Sequence, residues 1–106
     1  MVQFTRESFE QQVLNGKGFA LVEFWAPWCV YCRRIAPAFE KTAEENAGKL
    51  LIGQVNIDEV EGLDDDFEVD TIPTFLIFRD GQPGERLIAP GSKAALDEWL
   101  AGQLKV

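Results

Sequence analysis

Residues 21–37 read LVEFWAPWCVYCRRIAP, and they decide the fold. The run begins inside FALVEFWA, residues 19–26, which is apolar on both faces except at Glu23. A segment of that length and pattern is a central strand buried on both sides. A proline and a tryptophan interrupt it. Both cysteines of the chain, Cys29 and Cys32, then follow with only Val30 and Tyr31 between them. Beyond them Ile35, Phe39, Ala43 and Ala47 recur every four positions until Gly48, which predicts a helix over 33–47. Strand, tight turn, helix places Cys29 at the opening of a helix. Unpaired N–H groups and partial positive charge there stabilise a thiolate. Cys32, three residues on, shares the same face of the first turn.

Outward from this centre the alternation continues. Thr5 caps a short helix over 5–15, with Phe9 and Val13 on one face and Gly16 and Gly18 after it. LLIGQVNI, residues 50–57, is a second buried strand, and 59–68 reads as a short acidic helix. TFLIFR, 74–79, is a third strand. DGQPGE then turns the chain, and residues 86–89 pair back as a hairpin. Ser92 caps a last helix with Leu96, Trp99, Leu100 and Leu104 on one face. The pattern gives an α/β sandwich of three layers. Its early strands are parallel, joined through helices by right-handed crossovers, and the hairpin adds antiparallel strands at one side. There is no internal repeat or linker, and 106 residues fit one domain over 1–106.

Ten Lys and Arg against 18 Asp and Glu leave a net charge of −8. Such a surface repels phosphate backbones and anionic bilayers, so neither nucleic acid nor membrane is an expected partner. No apolar run reaches the length of a membrane span, and MVQFTRESFE lacks a basic-then-apolar signal pattern. The expectation is a monomeric cytoplasmic protein. Two cysteines in a reducing compartment are more often catalytic or metal-binding than structural. A bridge closing so short a loop removes little chain entropy. With no histidine and no third cysteine, zinc or an iron–sulfur cluster would need a second chain. Thiol–disulfide chemistry leads these readings. A structural disulfide, an intermolecular metal site and two inert thiols stay open beside it.

The segment LVEFWAPWCVYCRRIAP resembles the active-site segment of thioredoxins, which usually carry Gly-Pro between the cysteines. VNID at 55–58, TIPTFLIF at 71–78 and the closing GSKAALDEWL match the same family in order. The resemblance implies a thioredoxin fold, a central mixed five-stranded sheet with helices on both faces. It also implies a protein-disulfide reductase. Cys29 is then the nucleophile that forms a mixed disulfide with a partner protein, and Cys32 resolves it. The dithiol carries both electrons, so no cofactor or metal is expected, and a thioredoxin reductase is the expected electron donor. Trp28 covers the sulfurs. Pro73 is cis in the family and faces the nucleophile, leaving the backbone of Ile72 to pair with an extended substrate, and Ala89–Pro90 completes the groove. Pro37 is structural and kinks its helix. Glu23 stands where the family has a buried Asp that exchanges protons with the resolving cysteine. A carboxyl in such a strand should have a raised pKa. Gln54 replaces the usual Lys partner.

Two alternatives accompany this reading. One is a more oxidising oxidase or isomerase, because Val30-Tyr31 departs from the family dipeptide. The other is a thioredoxin-like binding module with idle thiols. Val30 and Tyr31 are expected to tune the redox chemistry: Tyr31, unlike proline, has a backbone N–H to offer the Cys29 thiolate, which would make the protein a stronger oxidant. The run from Asp58 to Asp70 holds eight acids and no Lys or Arg and reads chiefly as a solvated face.

Overall fold

The structure, a computed structural model, describes residues 1–105. Its five-stranded mixed sheet runs in the order β1-β3-β2-β4-β5, built from β1 (Val2–Gln3), β2 (Phe19–Trp25), β3 (Leu51–Asn56), β4 (Thr74–Arg79) and β5 (Gln82–Ile88). Helix α1 (Arg6–Phe9) and its π-helical continuation (Glu10–Leu14) pack on one face with α3 (Leu63–Asp66). Helices α2 (Val30–Glu45) and α4 (Lys93–Gln103) cover the other. Side chains alternate across a strand, so β2 serves two cores at once. Val22 and Phe24 join Phe9, Val55, Leu76 and Phe78 in one, while Leu21 joins Ile35, Phe39, Phe75 and Leu96 in the other. The doubly buried pattern of 19–26 arises from this central position.

β2 and β3 are parallel, with Ala20 opposite Leu51, as the crossover through α2 requires. The hairpin supplies the antiparallel side of the sheet. β4 does not lie beside β3 but on the far side of β2, antiparallel, with Val22 opposite Leu76. The acidic connection is therefore no crossover helix. Only one turn of it, Leu63–Asp66, is helical. Arg6 donates to the carbonyl of Glu61 at 2.7 Å, and Arg86 to those of Phe67 and Glu68 at 2.8 and 3.1 Å. These two guanidinium groups hold the segment down where helix propensity does not.

Strand β1 has no counterpart among the four strands legible in the pattern. It pairs parallel to β3, with Val2 opposite Gly53. Gly53 permits it, because a Cβ there would stand 2.6 Å from the Val2 carbonyl oxygen. The hairpin is tighter than expected. Asp80-Gly81 alone makes the turn, at φ of 51° and 83°, the pairing that suits a two-residue loop. β5 therefore starts at Gln82 rather than 86, and Pro83 is tolerated because β5 is an edge. The first helix caps as read: Thr5 Oγ1 accepts from Ser8 N at 3.0 Å, and Ser8 Oγ accepts from Thr5 N at 2.9 Å. Ser92 Oγ likewise caps α4, accepting from Ala95 N at 3.1 Å.

Candidate active site

β2 ends at Trp25, and the chain turns through Ala26, Pro27 and Trp28, closed by a bond from Cys29 N to the Ala26 carbonyl at 3.1 Å. Arg33 braces the turn, donating to the Pro27 carbonyl at 3.0 Å. Helix α2 starts at Val30, three residues before its apolar period becomes visible, because Cys29 is the cap. Its backbone is extended (φ −82°, ψ 116°), and its Sγ accepts the N–H of Cys32 at 3.1 Å. The two cysteines are joined as a disulfide, with Cα atoms 5.2 Å apart. Both are buried, Cys29 at 6% exposure and Cys32 at 3%, so the residue assigned as nucleophile is only marginally the more open of the two.

In the disulfide, the N–H that reaches Cys29 Sγ is that of Cys32, at the third helical position, where cap side chains commonly accept; the Tyr31 N–H, expected to serve the thiolate, makes no such bond in this oxidised form. The Tyr31 side chain lies out in solvent at 61% exposure, beside Val30.

Around the disulfide the structure gathers most of the residues singled out in the sequence. Ala26, Trp25, Ile57 and Ile72 pack against the cysteines. The Ile72–Pro73 bond is cis, and the Ile72 carbonyl oxygen lies 3.7 Å from Cys29 Sγ. Pro73 is buried, and its carbonyl accepts from Ala89 N at 2.8 Å, which brings the loop after β5 to the rim. Ala89 takes φ of 45°, a left-handed conformation rare without glycine. Trp28 is 62% exposed, and its indole Nε1 donates to Asp58 Oδ2 at 2.9 Å. Asp58 was read only as part of the acidic face. Its signal was the VNID segment, which places it just past the end of β3.

Glu23 lies away from this rim, within the sheet between Gln54 of β3 and Phe75 of β4. It shares a face of β2 with Trp25, which packs on the cysteines. Only 1% of it is exposed. Gln54 Nε2 donates to its Oε1 at 2.7 Å, while Oε2 has no hydrogen-bond partner among the described residues. Burial pushes this carboxyl up to about 7, and the bond from Gln54 pulls in the opposite direction.

Two sulfurs at one helix start, with an exposed aromatic on one side and the Ile72 backbone before the cis-proline on the other, make a site for exchange between disulfides. The thioredoxin family model matches residues 1–102. The thioredoxin of Buchnera aphidicola is 36% identical over 100 residues, covering 94% of this chain and 93% of that one. The thioredoxins of Mycobacterium bovis and Mycobacterium tuberculosis are each 38% identical over 95 residues, 90% of this chain and 82% of theirs. Sheet order, the paired cysteines at the start of α2 and these matches agree: the chain belongs to the thioredoxin family and is a thiol–disulfide oxidoreductase.

Proposed function

We propose that the protein works in the reducing direction on disulfides of other proteins, as one cytoplasmic domain acting as a monomer and recharged by a thioredoxin reductase. The observation that carries the reading is the match, over 90% or more of the chain, to proteins named thioredoxin; the two sulfurs at the N-terminus of α2, beside an exposed rim and the Ile72 carbonyl, supply the exchange chemistry. In the reduced protein the Cys29 thiolate attacks one sulfur of a substrate disulfide. A Cys29–substrate bond forms, and the other substrate sulfur leaves and takes a proton. Cys32 then loses its proton to Glu23 and attacks Cys29 Sγ. The second substrate thiol departs, and the Cys29–Cys32 bond closes. Two electrons have passed to the substrate, with one proton from Cys32 returned by Glu23 to the second leaving sulfur and the other taken from solvent. A carboxyl whose pKa lies near neutrality exists in both forms at working pH, which suits it to take and return a proton. Trp28, Ile72, Pro73 and Ala89 bind the substrate segment. Val30 and Tyr31 form the exposed apolar shoulder it approaches.

Insulin reduction tests this, driven by dithiothreitol and then by NADPH with a thioredoxin reductase. Wild type is expected to accelerate precipitation of the insulin B chain, and Cys29→Ser to be inert. Equal slow rates for both would leave a binding module. Activity with dithiothreitol alone would leave an oxidoreductase fed by another donor.

A further inference from the structure

Beside the disulfide a pocket of about 380 Å³ opens between α2 and the loop after β5, lined by Tyr31, Arg34, Ile35, Ala89, Pro90 and Gly91. Arg34 is its one charged wall residue, in a chain of net charge −8. The guanidinium carbon stands 5.4 Å from the centroid of the Tyr31 ring, within cation–π range. Among the described residues Arg34 enters no ion pair, whereas Arg6 and Lys93 do. An exposed cation that is stacked in place and left without a counter-ion, on the wall of an otherwise apolar cleft, has the chemistry of a carboxylate receptor.

We infer that this pocket is a specificity subsite that accepts an acidic side chain of the substrate polypeptide, held by Arg34 over Tyr31. The inference rests on the proposed reduction of protein disulfides and narrows its substrate class. Spacing fixes where the acid sits. Arg34 lies five residues beyond Cys29, about 7.5 Å along a helix axis. Side chains two apart on one face of an extended strand are separated by about 6.6 Å. Arg34 also lies about 140° around the axis from Cys29, but its long side chain folds back over the Tyr31 ring toward the helix start, and there it meets the side chain two positions from a substrate cysteine that faces Cys29. The bond from Ala89 N to the Pro73 carbonyl fixes the opposite wall against the segment that faces the sulfur. The Ala89 methyl, held at positive φ, narrows the cleft from that side. The acidic remainder of the protein repels acidic segments that lack such an anchor, so selection acts on position and not on overall charge.

The test uses the whole chain and three disulfide-linked peptides that are identical except for Glu, Gln or Lys at both positions two residues from the cysteine. For wild type, kcat/KM for the Glu peptide is expected to exceed that for the Gln peptide about fivefold, chiefly through KM, and the ratio should shrink with added salt. Arg34→Gln should bring the ratio to about one. Arg34→Lys should retain part of it, and Arg34→Glu should turn the preference toward the Lys peptide. Because each enzyme is compared with itself, a loss of overall activity leaves the ratios readable. A wild-type ratio of one, or a ratio that survives Arg34→Gln, overturns the subsite. Absence of Cys29-dependent turnover of all three peptides and of bis(2-hydroxyethyl) disulfide overturns the reductase reading, and the subsite falls with it.

Discussion

The backbone N–H of Cys32 donates to Cys29 Sγ at 3.1 Å, so the first turn of α2 is capped by its own sulfur. Once the disulfide is reduced, that donor and the helix terminus favour negative charge at position 29 over position 32. Brief iodoacetamide treatment of the reduced protein at neutral pH, followed by mass mapping, is expected to label Cys29 first. Predominant labelling of Cys32 would exchange the two roles.

The same bond bears on Tyr31→Pro. Proline removes the N–H of residue 31, but the N–H that reaches the sulfur belongs to residue 32, and proline is tolerated in the first helical turn. Equilibration with glutathione should place the variant within about 10 mV of wild type, or about 0.5 kcal/mol for two electrons. The loss should appear instead in binding, because the ring that stacks on Arg34 is gone. KM for a protein disulfide should rise about two- to threefold. A potential moved by about 30 mV or more, with KM unchanged, would return the effect to the backbone donor.

Glu23→Gln addresses the buried carboxyl. Its folded pKa, about 7, stands above the ordinary 4.5. Below about pH 4.5 both folded and unfolded chains hold the proton and the group is neutral to stability. As pH rises toward 7 the unfolded chain releases the proton first, so wild type loses stability across this window, by about 3 kcal/mol at most. Urea denaturation from pH 4.5 to 8 should show the stability of Glu23→Gln relative to wild type growing up to about pH 7 and flat above. Reduced turnover should accompany it, with the loss in the resolving step. An advantage that shrinks with rising pH would mean the carboxylate is stabilised where it lies, and the proton-relay role would lose its basis.

At Ala89, φ of 45° places a Cβ in the left-handed region, which costs about 1–2 kcal/mol. Glycine relieves that strain but loses more entropy on folding, about 0.5–1 kcal/mol. Ala89→Gly should therefore raise unfolding free energy by about 0.5–1 kcal/mol. Destabilisation would show that the methyl contributes packing on the pocket wall that outweighs its strain.

Most of the architecture was legible because it rests on local signals. The apolar run of β2, the four-residue period from Ile35 to Ala47 and the Ser92 cap each specify their element without help from distant residues. That the hairpin adds antiparallel strands was legible; which strand β4 lies against was not. A strand buried on both faces carries no mark of its neighbour, and only the pairing of Val22 with Leu76 shows that it turns back along β2. β1 escaped for a different reason. Two residues have no period, and the feature that admits them, the missing side chain of Gly53, lies fifty positions away. At the site, spacing put the two cysteines at a helix start, while Trp28, Ile72, Pro73 and Ala89 were pointed to only by the family resemblance. Which N–H meets Sγ, and that Asp58 holds the Trp28 indole, depend on the course of the backbone through a turn, which residue types alone do not encode.

Gln54 is the remaining departure from the family pattern, and its replacement by lysine tests how Glu23 is controlled. The wild-type amide donates one neutral hydrogen bond to Glu23 Oε1 and leaves Oε2 unpartnered, so burial dominates and the carboxyl is held near 7. An ammonium about 4 Å away would favour the carboxylate by about 4 kcal/mol at an effective dielectric of 20. Desolvating the lysine opposes this, but residue 54 is only half-buried, and the lysine stem can carry its charge toward water. Attraction should win in part, and the Glu23 pKa should fall toward the ordinary carboxylate range. By the same linkage, the loss of stability between about pH 4.5 and 7 should flatten, so Gln54→Lys gains on wild type as pH rises. That gain must vanish when Glu23 is also Gln, because no titrating partner remains. In turnover, a carboxylate that no longer picks up its proton near neutrality should move the acid limb of the pH–rate profile to lower pH. If Gln54→Lys tracks wild type at every pH, the ammonium has turned to solvent, and the near-neutral carboxyl is set by burial alone.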